Sequence, residues 1–145
     1  MKQLLILMIL TLTGMLAACS SGSHKAVQAD GNVVKIPLAE LQPQQASFYR
    51  ITLDGKEIRF FAVKGSDGRI RTALDACDVC YKERKGYQQQ GDVMLCRNCN
   101  RTFPIDRISP SSVGGCNPHF LPSQVTGDQL LLPVSELKQG ARFFP

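Results

Sequence analysis

Leu74-Asp75-Ala76-Cys77-Asp78-Val79-Cys80, Leu95-Cys96-Arg97-Asn98-Cys99 and Gly114-Gly115-Cys116-Asn117-Pro118 together hold five of the six cysteines of this chain. The first two segments are C-x2-C pairs separated by fifteen residues, the spacing of a four-thiolate metal site. Two residues between cysteines let one tight turn present both sulfurs to a single ion, and a second such turn completes a tetrahedral set. Iron–sulfur clusters use the same ligands, so the spacing indicates a metal more firmly than it indicates which one. On spacing alone zinc leads iron, and copper is a third candidate for the same thiolates.

Working outward, the flanking residues read as strands. Ser47 to Leu53 and Ile58 to Val63 alternate apolar and polar side chains around Asp54-Gly55, the signature of a hairpin. After Ser66-Asp67-Gly68, a third strand from Ile70 to Leu74 delivers the first cysteine pair. A polar loop broken by Gly86 and Gly91 follows, and a short strand, Val93 to Leu95, delivers the second pair. Thr102 to Ile105 reads as a further strand, Gln124 to Leu132 as a final hairpin, and Ser135 to Gln139 as one helical turn capped by Ser135. No long segment has a helical period, so the fold class is mostly β: a small antiparallel domain with cysteine-bearing loops and little helix.

The N-terminus has a different character. Lys2, the apolar run Leu4 to Met15 and the small residues Ala17-Ala18 before Cys19 form a secretory signal over residues 1–18, too short to span a membrane. Leu16-Ala17-Ala18-Cys19 resembles a bacterial lipobox, which implies cleavage before Cys19 and a lipid anchor on its sulfur. Residues 19–32, rich in Ser and Gly, read as a flexible tether in which His24 is a bystander, and the metal-binding domain is expected over 33–145. Ser20 lacks the acidic character of an inner-membrane retention signal. The expected location is therefore extracytoplasmic and lipid-anchored, at the outer membrane in a Gram-negative cell.

Composition excludes several functions. The formal charge of +5 falls to +4 without Lys2, too mild for a nucleic-acid partner. Lys82, Arg84 and Lys85 form the densest basic run, which would lie beside the metal. Covalent haem attachment needs histidine after the second cysteine of a pair, where Tyr81 and Asn100 stand. Cysteine-nucleophile catalysis needs a basic partner, and the domain has one histidine beyond the tether, His119, so no enzyme is expected. Disulfides remain a third reading in an exported protein, although a bond within C-x2-C closes a tiny loop and adds little stability.

The order of hairpin, ligand loop, short strand, ligand loop and proline-bearing loop resembles the Rieske fold, in which two loop tips clasp a two-iron cluster beneath a third loop. Rieske proteins place histidine as the second ligand of each loop, where this chain has Cys80 and Cys99. The resemblance implies Cys77 and Cys96 on one iron, Cys80 and Cys99 on the other, and a [2Fe–2S] cluster. All-thiolate ligation would lower the potential toward the roughly −400 mV of four-cysteine ferredoxins.

A closer resemblance runs from Ile36 to Phe144. Phe60 to Gly68, Asp75 to Cys80, Lys85-Gly86-Tyr87, Gly91-Asp92, Cys96 to Cys99 and Gly114 to Pro118 resemble the FtrD-like family of membrane-associated iron–sulfur domains. That resemblance implies electron transfer at the envelope with a redox partner protein, in iron uptake beside a cupredoxin-type protein and a permease, or in respiratory redox. Asn100 stands where glycine is expected, in a turn whose left-handed backbone asparagine tolerates. The alternative is a zinc- or copper-binding lipoprotein module with no redox role. Cys116 reads as a further ligand, a donor to a cluster sulfur, or a buried thiol in a glycine turn. His119 reads as solvent-facing, Tyr81 and Tyr87 as donors or packing residues, and Phe103, Phe143 and Phe144 as core.

Overall fold

The structure is a computed structural model describing residues 24–145 except Val113. The expected signal peptide, the lipid-bearing Cys19 and the start of the tether fall outside the described residues.

The described chain is mostly β. Strands β1 (Lys25–Ala26), β2 (Ala29–Asp30), β3 (Val33–Pro37), β4 (Ser47–Leu53), β5 (Lys56–Lys64) and β6 (Ile70–Cys77) precede the first ligand loop. Strands β7 (Tyr87–Gln90), β8 (Val93–Cys96), β9 (Thr102–Pro104), β10 (Pro118–Phe120), β11 (Gln124–Thr126) and β12 (Gln129–Pro133) follow, and helix α1 (Val134–Gly140) comes near the C-terminus. Three sheets result, in the orders β1-β4-β5-β6-β10, β11-β12-β3-β2 and β7-β8-β9. Among these named strands the pairings are antiparallel except that of β1 with β4.

The five-stranded sheet is the middle layer. Side chains alternate faces along a strand, and here both faces are covered. Ile58, Phe60 and Ala62 of β5, with Leu74 and Ala76 of β6, pack against Val34, Ile36, Leu130, Leu132 and Leu137 from the four-stranded sheet and α1. Phe61, Val63, Ala73 and Cys77 face the other way, toward Tyr87, Met94 and Cys96 of the three-stranded sheet. Double burial explains why β5 reads as the continuous apolar run Phe60-Phe61-Ala62-Val63.

The β4–β5 hairpin forms as expected. Leu53 pairs with Lys56, leaving Asp54 (φ 50°) and Gly55 (φ 77°) as a two-residue loop with both residues left-handed. Other elements depart from the expectation. Residues 24–32, read as tether, pair with the sheets: Lys25 and Ala26 lie beside Tyr49 and Arg50, and Ala29 and Asp30 beside Val34 and Val33. The polar Tyr87–Gln90 forms a strand, secured by Gln89, whose side chain accepts from the Ala46 amide (2.6 Å) and donates to the Gln44 carbonyl (2.7 Å). Helix α1 starts one residue earlier than expected. Its N-cap is Pro133, with no side-chain cap, so Ser135 lies inside the first turn.

Candidate metal centre

Each cysteine pair begins on the last residue of a strand. Cys77 ends β6 and pairs in register with Pro118, so the first ligand loop and the glycine-cysteine loop start side by side. Cys96 ends β8 and pairs with Tyr87. Beyond each strand the chain turns over the sulfur: the amides of Val79 and Cys80 donate to the Cys77 sulfur, and those of Asn98 and Cys99 to the Cys96 sulfur. The second turn closes with the Asn100 amide on the Cys96 carbonyl (2.9 Å), and Asn100 is left-handed at φ 58°. Asparagine fills the expected glycine position at tolerable cost.

These turns bring five free thiols together. Cys77, Cys80 and Cys116 form one group whose sulfurs lie within 4.8 Å of one another, and Cys80, Cys96 and Cys99 form a second, so Cys80 belongs to both. The Cys99 and Cys116 sulfurs are 3.0 Å apart, well beyond the roughly 2.05 Å of a disulfide. Cys77 and Cys96 are buried, while Cys80, Cys99 and Cys116 keep partial access to solvent.

The electrostatics divide the set: Cys77 and Cys99 are held toward the thiolate, Cys96 and Cys116 toward the thiol. Burial raises the Cys77 pKa, but the Cys80 and Val79 amides and the Tyr87 hydroxyl outweigh it and hold the thiol below its ordinary range. The hydrogen bond shared with Cys116 brings Cys99 down to about 7, with help from the Arg101 amide. Cys116 is raised by the same hydrogen bond and by the neighbouring thiolates, and Cys96 is pushed up to about 12, chiefly by burial. Repulsion among sulfurs this close opposes full ionisation, and an embedded cation removes that opposition. The donor set therefore fits a thiolate-bound metal centre.

Three polar residues lock the loops. Asp75, 3% exposed and on the same face of β6 as Cys77, accepts the Tyr87 amide on Oδ1 (2.6 Å) and meets His24 Nε2 with Oδ2 (2.8 Å). Gly86 makes this possible: a β-carbon there would lie 2.5–2.7 Å from the Asp75 carboxylate, and its φ is +65°. Asp78, inside the first cysteine pair, receives the Asn117 side-chain amide on Oδ2 (2.9 Å) and meets His119 Nδ1 with Oδ1 (2.8 Å). The Tyr87 hydroxyl lies between the Cys116 carbonyl (3.2 Å) and the Cys77 sulfur, which share its one proton.

Two expectations change here. His24 is no bystander, because it is anchored by Asp75 and set edge-on to Phe48 at 5.5 Å. His119 does not simply face solvent, since its ring lies 4.4 Å from that of Phe143 and its nitrogen is held by Asp78. Tyr87 fills both roles read for it, donor and packing residue. Asp75 is a site residue that the sequence reading does not single out; its one sequence signal is its position, two residues before Cys77. Phe143 and Phe144 lie in the core as expected, and Phe103 is half-buried on the cysteine side.

A β domain that gathers five free thiols from three loops beneath amide donors is a thiolate metal-binding domain. The model of the FtrD-like family, described as membrane iron–sulfur-containing proteins, matches residues 41–144, and the chain belongs to that family. The matched region contains all five clustered cysteines, and their grouping fits an iron–sulfur cluster. No curated protein matches the chain.

Proposed function

We propose that this protein is an electron carrier of the bacterial envelope, holding a [2Fe–2S] cluster on Cys77, Cys80, Cys96 and Cys99 with Cys116 alongside, and anchored by a lipid on Cys19. The observation that carries this reading is the convergence of five free thiols with backbone amides aimed at three of them. When bound, the cluster supplies a reversible one-electron couple. The chain's own residues do the rest. The amides of Val79, Cys80, Asn98 and Cys99 and the Tyr87 hydroxyl offset negative charge on sulfur, which favours the reduced state. The Asp78 contacts to Asn117 and His119 hold the glycine-cysteine loop against the first ligand loop, limiting water at the buried Cys77 and Cys96. The Rieske-like reading of the loops and a link to iron uptake or respiratory redox belong to the same proposal.

A potentiometric titration of anaerobically purified protein, followed in the visible spectrum, is expected to show one reversible step at a strongly negative potential, near about −400 mV. A midpoint above zero would contradict it. A zinc or copper module is the second reading, favoured by the three-sulfur groups, each compact enough for one tetrahedral ion. Its mark is a colourless zinc protein, or a copper protein, without acid-labile sulfide.

A further inference from the structure

The end of the molecule that carries the cysteines also carries cations without a carboxylate partner among the described residues. Lys82, Arg84 and Lys85 follow the first pair, Arg97 lies inside the second, and Arg101 lies just after it; all five are exposed. The two runs adjoin, because the Arg97 amide donates to the Gly86 carbonyl at 3.0 Å and so sets Lys85 beside Arg97. Among the described residues none of the five is in an ion pair; Lys56, Arg59, Lys64, Arg107 and Arg142 are likewise unpaired but are scattered along the chain, whereas these five lie on the two ligand loops. Glu83 is the exposed acid within the first run, and Asp78 is turned inward to Asn117 and His119. At the tip of the first loop, between Asp78 and Cys80, Val79 is 61% exposed, one of two large apolar side chains so placed among the described residues.

We propose that this face, formed by the two ligand loops with the exposed Val79, Lys82, Arg84, Lys85, Arg97 and Arg101, is the docking surface for an acidic redox protein. The inference rests on the electron-carrier reading and names the kind of partner that reading requires. Transient redox encounters bury little area, below about 1,200 Å², so their speed comes from electrostatic steering. An apolar side chain among charged ones excludes water where the partly exposed Cys80, Cys99 and Cys116 come nearest the surface. An acidic protein suits this face better than an anionic membrane, because one valine offers little apolar area for insertion and a membrane would cover those sulfurs.

The test uses full-length protein and two double variants of equal charge change, Lys82→Glu with Lys85→Glu at the proposed face and Lys35→Glu with Lys56→Glu away from it. Binding of a dye-labelled oligoglutamate peptide, read by fluorescence anisotropy at low salt, should weaken by about tenfold or more in the first and by less than about twofold in the second. Oxidation of the reduced protein by anionic hexacyanoferrate(III) should slow in the same pattern. Equal losses in both variants, no loss in either, or a loss confined to binding of phosphatidylserine vesicles would overturn the proposal. Iron and sulfide are assayed on the same samples: their absence defeats the carrier reading, while the peptide measurement still decides the surface.

Discussion

His24 Nε2 and Asp75 Oδ2 lie 2.8 Å apart although 51 residues separate them in the chain, and through this contact the N-terminal segment reaches the base of the cysteine site. Asp75 is buried, and its other oxygen holds the Tyr87 amide. Replacing His24 by alanine leaves one buried carboxylate oxygen without that partner. The expected cost is about 1–3 kcal/mol of stability. Denaturant unfolding of His24→Ala checks it, and a midpoint equal to that of the unmodified protein would show that water replaces the imidazole without penalty.

Gly86 is the second support of the same carboxylate. Alanine there would need a left-handed backbone and would press its methyl group into Asp75. Gly86→Ala should lose about 2–4 kcal/mol, whereas Gly91→Ala, equally left-handed but in open space, should lose about 1 kcal/mol. Thermal unfolding of the two variants side by side separates crowding from backbone strain; equal losses would remove the crowding argument.

Tyr87 tests the tuning of the site. Tyr87→Phe keeps the ring but removes the hydroxyl that reaches Cys77 and the Cys116 carbonyl. A hydrogen bond to sulfur favours the more negatively charged state, so its loss should lower the midpoint by about 40 mV, the one-electron equivalent of about 1 kcal/mol. An unchanged or raised midpoint in a protein of normal metal content would refute the role.

Acid stability has a local source in Asp67. The bidentate hydrogen bonds of Arg71, with the Arg69 amide, hold the Asp67 carboxyl well below its ordinary 3.8. A lowered folded value contributes stability that is complete above the unfolded value and is lost as pH falls through the folded one. Unfolding measured between neutral pH and pH about 2 should therefore show a steeper acid loss in the unmodified protein than in Asp67→Asn. Parallel curves would mean that the pair contributes nothing.

Where a residue's own chemistry decides its structure, the sequence was readable. Asp54-Gly55 dictates a two-residue loop, and the alternation around it dictates the strands it joins. The cysteine spacing points to two turns from different strands, and Cys77 and Cys96 end β6 and β8. Tyr87–Gln90 was not legible, because three glutamines carry no strand signal and the pairing comes from β8 and from Gln89 contacts 43 and 45 residues away. His24 and His119 were misread for a similar reason: their carboxylate partners are 51 and 41 residues distant, and local polarity says nothing of them. Ser135 looked like a cap by residue type, but Pro133 already occupies the extended position before the helix.

The most direct measurement is the content of iron and acid-labile sulfide in anaerobically purified protein, with Cys80→Ser beside it, since Cys80 belongs to both sulfur groups. The account predicts iron and sulfide in equal amounts, a colour bleached by dithionite, and loss of both in the variant. Colourless protein with zinc and no sulfide, or with five alkylatable thiols and no metal, would contradict it.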